Sequence, residues 1–273
     1  MIPRDYITEW RSQAPWVDDA QVEQDLVISR ALVEIFSHPL LRRELAFRGG
    51  TALYKLYLKP PARYSEDIDL VQINAGPAGP VIDALREVLA PWLGEPGRKQ
   101  SEGRLTLYFR FESEDRPPVR LNLKVEINTR EHFSVEGFVN VPFAVSSRWF
   151  EGECGITSFS LDELLATKLR ALYQRNKGRD LFDLVVALQT GNADPEKVVD
   201  GFLEYMVHGG HRVTRAQFEQ NLHAKLRNRQ FRADIGPLLA SDYQWEVESA
   251  APLVQEELIA RLPGEPWKGG EEG

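Results

Sequence analysis

Residues 119–128 (VRLNLKVEIN) alternate without a break: Leu121, Leu123, Val125 and Ile127 are set against Asn122, Lys124, Glu126 and Asn128. Period two marks a strand with one buried and one wet face. The same pattern predicts strands near 104–112 and 137–146, and a shorter one at 67–71 (DIDLV), where Ile68, Leu70 and Val71 make a central position in the sheet the expectation. Elsewhere the apolar spacing is helical. Residues 1 to about 38 read as helix, with Val22, Leu26, Val33 and Phe36 on one face, and 78–93 as another. From 160 the spacing stays helical to about 262. Ser160 with Glu163 three residues on forms a capping-box pattern, and Leu161, Leu164, Leu165, Leu169 and Leu172 supply a buried stripe. Asn176-Lys177-Gly178 reads as a helix stop with Gly178 in the left-handed position, and Asp180 opens the next helix. The fold class is α+β: a mixed sheet with flanking helices over 1–158, then a helical bundle over 159–262. The Gly/Pro-rich, charged ending over 263–273 is expected to be disordered.

The chemistry concentrates in residues 48–70, RGGTALYKLYLKPPARYSEDIDL. Successive strand residues point to opposite faces, so Asp67 and Asp69 share one face while Ile68 and Leu70 take the other. Two carboxylates roughly 6–7 Å apart along a strand repel unless something positive sits between them. A divalent cation answers that need: Mg²⁺, or Mn²⁺ in its place, takes oxygen ligands and is commonly held by one or two carboxylates plus substrate phosphates. Upstream, Gly49 and Gly50 permit a tight turn and close approach to a ligand, and 51–58 (TALYKLYL) reads as a short helix whose N-terminal N–H groups favour phosphate. Each piece alone is ordinary. Within one strand-turn-helix-strand unit, Gly49, Gly50, Thr51, Asp67 and Asp69 point to a nucleoside triphosphate and a metal.

At these residues the chain resembles the AbiEii/AbiGii toxin nucleotidyltransferases of the DNA polymerase β-like superfamily: GGTAL followed by RYSEDIDL is similar to their first motif, with Thr51 where many relatives have serine. The resemblance implies a third acid on a later strand. KVEI matches the second motif, and Glu126 is the only carboxylate of its strand, which makes it the third metal ligand or the base that activates the attacking hydroxyl. A third motif, roughly K-L-x-A-L then R-x-x-x-R-D-x-x-D-L, is filled by Lys168, Arg175, Arg179, Asp180 and Asp183. By that resemblance Lys168 holds the nucleotide's phosphates and Asp180 orients the lysine or the substrate. Ser65 adds a hydroxyl near the triphosphate, and Arg179 balances phosphate charge. The resemblance spans about 46–185. It implies the toxin of a toxin–antitoxin or phage-defence pair, transferring a nucleoside monophosphate from a triphosphate to an acceptor hydroxyl, with the tRNA 3′ end as acceptor and a cognate antitoxin as partner.

Composition narrows the field. A chain of 273 residues, 42% hydrophobic, is long enough for one large or two ordinary domains. No run of about eighteen apolar residues exists and the N-terminus lacks a secretory pattern, so no membrane partner is expected and the cytoplasm is the default. A single cysteine, Cys154, excludes an internal disulfide and a zinc site built on cysteine pairs. The net charge of −8 argues against a general nucleic-acid binder, yet basic residues cluster. Lys168, Arg170, Arg175, Lys177 and Arg179 occur in a stretch without acids, and Arg212, Arg215, Lys225, Arg227, Arg229 and Arg232 follow against Glu219 alone. Such segments suit a phosphate-backbone grip, an acidic antitoxin or plain solvated helices. An aminoglycoside-type small-molecule nucleotidyltransferase would want an acidic acceptor pocket, which this basic half opposes. A non-catalytic nucleotide- or partner-binding module would not need all of Asp67, Asp69 and Glu126.

Overall fold

The computed structural model describes residues 2–114, 117–241 and 243–269. It divides into two compact units, Met1–Phe159 and Ser160–Gly273. In the first, α1 (Arg4–Trp10), α2 (Asp19–Ser37) and α3 (Pro39–Glu44) lead into β1 (Leu45–Arg48), then α4 (Gly49–Ala52), which widens into a π-helical turn over Leu53–Tyr57. There follow β2 (Asp67–Gln72), α5 (Gly79–Leu93), β3 (Gly97–Ser101), β4 (Arg104–Glu112), β5 (Arg120–Asn128), β6 (Val139–Ser146) and β7 (Glu151–Ser158). These strands form one sheet in the order β3-β4-β5-β2-β1-β7-β6, so the acidic strand β2 is central. β2 runs parallel to β5 and β1 parallel to β7, the other neighbours being antiparallel, which makes the sheet mixed.

Strict alternation sorts the two faces. Ile68, Leu70, Leu105, Leu107, Phe109, Leu123, Val125 and Ile127 are all but completely buried. They form the core on which α2, α3 and α5 pack. On the opposite face, within this unit, Asp67, Asp69, Lys124 and Glu126 remain partly open.

Strands β4 and β5 follow the alternation closely. β3 and β7 were not expected: β3 is the polar, exposed edge sequence GRKQS, and β7 carries two glycines that interrupt the period-two signal. The helix expected at 51–58 starts two residues earlier. Arg48 is extended, Gly49 takes a φ of +85°, and the helix begins at once.

The second unit is helical: α6 (Leu161–Gln174), α7 (Gly178–Gln189), α8 (Pro195–His208), α9 (Arg215–Leu226), α10 (Arg229–Ala233) and α11 (Val247–Glu257). Ser160 caps α6 by accepting the Glu163 N–H at 3.1 Å, satisfying one of the helix's free donors. Gly178 departs from the expected left-handed stop. It is the first residue of α7, with no positive φ, and glycine is required there because a Cβ would lie 2.1 Å from the Phe231 carbonyl oxygen. The expected disordered ending is only partly so. Pro263 O accepts the Arg215 N–H at 2.8 Å, Trp267 N–H donates to Glu219 at 2.6 Å, and the Trp267 ring lies 5.0 Å from that of His223. The rest of that expectation, residues 270–273, lies outside the described residues. Among the described residues no helix is long and apolar enough to cross a membrane.

Gly178→Ala is expected to cost about 1–3 kcal/mol, the usual penalty for forcing atoms into a packed site. Urea unfolding checks this, and an unchanged midpoint would show that α10 yields without cost.

Candidate active site

The register of the sheet assembles the site. Asp67 pairs with Lys124 and Asp69 with Glu126 across β2 and β5, while Arg48 lies opposite Asp69 on β1 and Thr106 opposite Glu126 on β4. Cross-strand partners share a face, so the three predicted acids come together at the middle of the sheet.

Their repulsion is met by residues the sequence reading left without a role. Lys124 Nζ bridges Asp67 Oδ2 at 3.0 Å and Glu126 Oε2 at 3.1 Å, and Arg104 Nε takes Glu126 Oε1 at 3.0 Å. Burial alone would lower the Lys124 ammonium, but its bonds to Asp67 and Glu126 outweigh that and hold it above its ordinary value. The period-two pattern already put Lys124 on the face of Glu126, so the signal was present. Arg48 reaches Glu131 at 2.7 Å.

Asp69 differs from its neighbours. Among the described residues no donor hydrogen-bonds to its carboxylate, and burial, then the charge of Asp67, push its pKa up, with Arg48 opposing. Asp67 is also raised, by burial first, against the pull of Lys124. The Asp69 carboxylate lies directly against the glycine turn, where a Cβ on Gly49 would sit 2.3 Å from Asp69 Oδ2. Gly50 is equally constrained, since a Cβ there would meet the guanidinium of Arg63 at 2.3 Å. Arg63 is fully buried, donates to Tyr64 O at 2.8 Å and stacks on Tyr54.

Thr51 and Ser65 are adjacent but turned inward. Thr51 Oγ1 donates to Asp67 O at 2.5 Å and lies 2.8 Å from Ser65 Oγ. The Thr51 proton goes to the strand, so Ser65 is the donor of the pair. In this arrangement both hydroxyls staple the start of β2 to the glycine turn, and neither offers its proton to a phosphate.

The third-motif residues lie in the second unit. Lys168 is buried, with Nζ 3.2 Å from Asp180 Oδ1 and 2.8 Å from Asp183 Oδ2, both carboxylates having no exposed surface. Arg175 adds a two-pronged contact to Asp180 at 2.6 and 2.7 Å. Arg179, expected to balance phosphate charge, instead gives Nε and Nη2 to Asp234 at 2.9 and 3.0 Å, and Lys177 joins the same carboxylate at 3.3 Å. Burial would raise the Asp234 carboxyl, but the Arg179 bonds outweigh it and bring it down to about 2. The basic run is therefore neutralised largely by acids that lie later in the sequence. In the later run, Arg215 pairs with Glu219, Arg232 with Glu248, and Lys225 caps the carbonyls of Leu172 and Tyr173 at the end of α6. Burial lowers the Lys225 ammonium to about 8.

The donor set can be weighed for a metal. Among the described residues no group of three His, Cys, Asp or Glu side chains is placed to hold an ion. Mg²⁺ bound with a phosphate substrate needs only one or two carboxylates, and Asp67 and Asp69 supply hard oxygen donors at strand spacing, with Asp69 lacking a hydrogen bond. The residues fit such an ion in type and place, with Glu126 held by Lys124 and Arg104.

The fold is similar to MenT4, a nucleotidyltransferase toxin from Mycobacterium tuberculosis, at 19% identity over 96% of this chain and 91% of that one, with a TM-score of 0.70. It is also similar to JHP933 from Helicobacter pylori, at 16% identity over 88% and 90% of the two chains and a TM-score of 0.54. Residues 30–251 match the family model described as nucleotidyl transferase AbiEii toxin, type IV toxin–antitoxin system, and the chain belongs to that family. A comparison with curated protein sequences finds no match.

Two outcomes follow. With divalent ions removed, Asp69→Asn should raise stability at pH 7–8 by roughly 0.5–2 kcal/mol, the range of relieved functional-site strain. A raised folded-state pKa means the native protein binds more protons than the unfolded chain between the two pKa values, so wild-type stability falls as pH rises through that window. The gain should fade as pH falls towards the unfolded value of about 4 and vanish below about pH 3, where both states are protonated. Urea midpoints against pH measure it, and a gain independent of pH would contradict the assignment. Lys168→Met should cost about 3–5 kcal/mol, because it strands buried carboxylates. An unaltered unfolding curve would show that Arg175 suffices alone.

Proposed function

We propose that the chain transfers a nucleoside monophosphate from a triphosphate to an acceptor hydroxyl, using Asp67, Asp69 and Glu126, as the toxin of a pair whose antitoxin restrains it. The observation that carries this reading is Asp69: a partly buried carboxylate without a hydrogen-bond donor, held against Gly49 on the central strand. Such a group is costly unless a cation meets it in the working state.

Asp67 and Asp69 would hold Mg²⁺, or Mn²⁺, which when bound supplies charge neutralisation at the phosphates and a Lewis acid for the attacking oxygen. The Gly49–Gly50 turn lets the triphosphate come close to the backbone, and the Thr51–Ser65 staple fixes that turn relative to Asp67. Glu126, steadied by Lys124 and Arg104, takes the proton of the acceptor hydroxyl. The hydroxyl oxygen bonds to the α-phosphorus, the bond from that phosphorus to the α–β bridging oxygen breaks, and pyrophosphate leaves with the electron pair. In the second unit, Lys168 has three donors and spends two of them on Asp180 and Asp183, so one is left for a phosphate. Asp180 thus orients the lysine. Arg179 is engaged with Asp234 in this arrangement and is not assigned to phosphate. The acceptor is the 3′ end of tRNA, the reaction belongs in the cytoplasm, and the biological setting is phage defence.

The test mixes the protein with Mg²⁺, each labelled triphosphate in turn and total RNA. Label should enter tRNA with wild type and fall at least about a hundredfold with Asp69→Ala, the scale of losing one electrostatic catalytic group. Mg²⁺ at about 100 times its Kd should stabilise wild type by about 2.7 kcal/mol and leave Asp69→Ala unmoved. Transfer by the variant at the wild-type rate, or equal stabilisation of both, would sink the reading.

A further inference from the structure

The neutralised basic runs of the second unit leave open where an acceptor's phosphates would be gripped. The first unit offers another place. A cleft of about 490 Å³ begins at Asp67 and Lys124 and runs along the open face of the sheet, past Tyr108 and Arg110 of β4, to Arg120 near the start of β5. Register sets the order. Tyr108 is opposite Lys124, Arg110 is opposite Asn122, and Arg120, two residues beyond that, is opposite the exposed Glu112 without an ion pair to it. Arg110 and Arg120 are exposed, and among the described residues neither has a carboxylate or hydrogen-bond partner, unlike Lys168, Arg175, Arg179, Arg215 and Arg232. The acids lining the cleft are Asp67, already paired with Lys124, and Glu66 at the same end.

We propose that Tyr108, Arg110 and Arg120 form the acceptor subsite: the arginines hold backbone phosphates of a single-stranded nucleic-acid terminus and the Tyr108 ring stacks one of its bases. This rests on the nucleotidyl-transfer reading for where the strand's end lies, since the cleft opens at Asp67. Arginine pairs with phosphate through a planar fork, and a ring stacks any base, which together hold a strand without reading its sequence. The two arginines without an ion pair favour an anionic acceptor here over a cationic one. Reach excludes the donor's own phosphates: six strand residues separate Arg120 from Glu126, about 20 Å at strand rise, and the glycine turn lies at Asp69, away from the arginines. A strand several nucleotides long spans that distance, and a triphosphate seated at Gly49 does not.

The experiment measures fluorescence anisotropy of a labelled twelve-nucleotide single-stranded oligoribonucleotide with the full chain, without triphosphate or metal, across a salt series. The double variant Arg110→Gln/Arg120→Gln should bind roughly tenfold more weakly at about 0.1 M salt and reduce the log–log salt slope by about 1.4, two contacts at the single-strand value. Arg110→Lys/Arg120→Lys should keep most of the slope, and Tyr108→Ala should weaken binding with the slope intact. Calorimetric binding of triphosphate should be the same in wild type and the glutamine variant. An unaltered oligonucleotide affinity and slope in that variant, or no binding by wild type, overturns the subsite. Loss of triphosphate affinity in its place makes the arginines a donor site and overturns it equally. If wild type transfers nothing yet its oligonucleotide binding depends on both arginines, the subsite stands and the transfer reading falls.

Discussion

Three carboxylates, Asp67, Asp69 and Glu126, share one face of two hydrogen-bonded strands at the centre of a sheet, and their repulsion has to be met by cations. Lys124 meets part of it, bridging Asp67 to Glu126, and Arg104 takes the far oxygen of Glu126. Asp69 keeps the remainder. It cannot move away, because Ile68 and Leu70 anchor the other face of the strand in the core and Gly49 lies against the carboxylate itself. The glycine turn, the inward hydroxyls of Thr51 and Ser65 and the buried Arg63 all serve to hold that contact. A site built this way trades stability for a fixed anionic position.

Much of this was legible in the chain. Alternation located β4 and β5 and the buried face of β2 because those strands have one dry side, and two-residue spacing alone put Asp67 with Asp69 and Lys124 with Glu126 on common faces. What spacing could not supply was register. That Asp69 faces Glu126, and that Lys124 bridges Asp67 to Glu126, depends on how β2 and β5 align over more than fifty intervening residues. β3 and β7 escaped notice because an exposed edge strand needs no apolar side and glycines erase the pattern. Gly178 was misread for a related reason: its requirement comes from the Phe231 carbonyl, a contact invisible to local rules.

Charge was the least legible property. The acid-free basic run from Lys168 to Arg179 suggested a phosphate grip, yet Asp180, Asp183 and Asp234 occupy most of its cations. Lone basic residues on alternating strand positions drew no attention, though a strand places Arg110 and Arg120 on the face of the acids, Arg110 opposite Asn122 and Arg120 opposite Glu112 with no ion pair formed among the described residues. A count of charges along a sequence is therefore a poor guide to where an anion binds. The relevant quantity is charge left unpaired after folding.

The central claim is that Asp67 and Asp69 form a metal-dependent phosphate site. Diffraction from crystals grown with Mn²⁺ and a non-hydrolysable triphosphate tests it directly, through the anomalous signal of the metal. The account predicts a manganese peak shared by the Asp67 and Asp69 carboxylates, with the triphosphate against Gly49 and Gly50. A triphosphate bound elsewhere, or manganese found only at other carboxylates while Asp69 stays without a ligand, would contradict it.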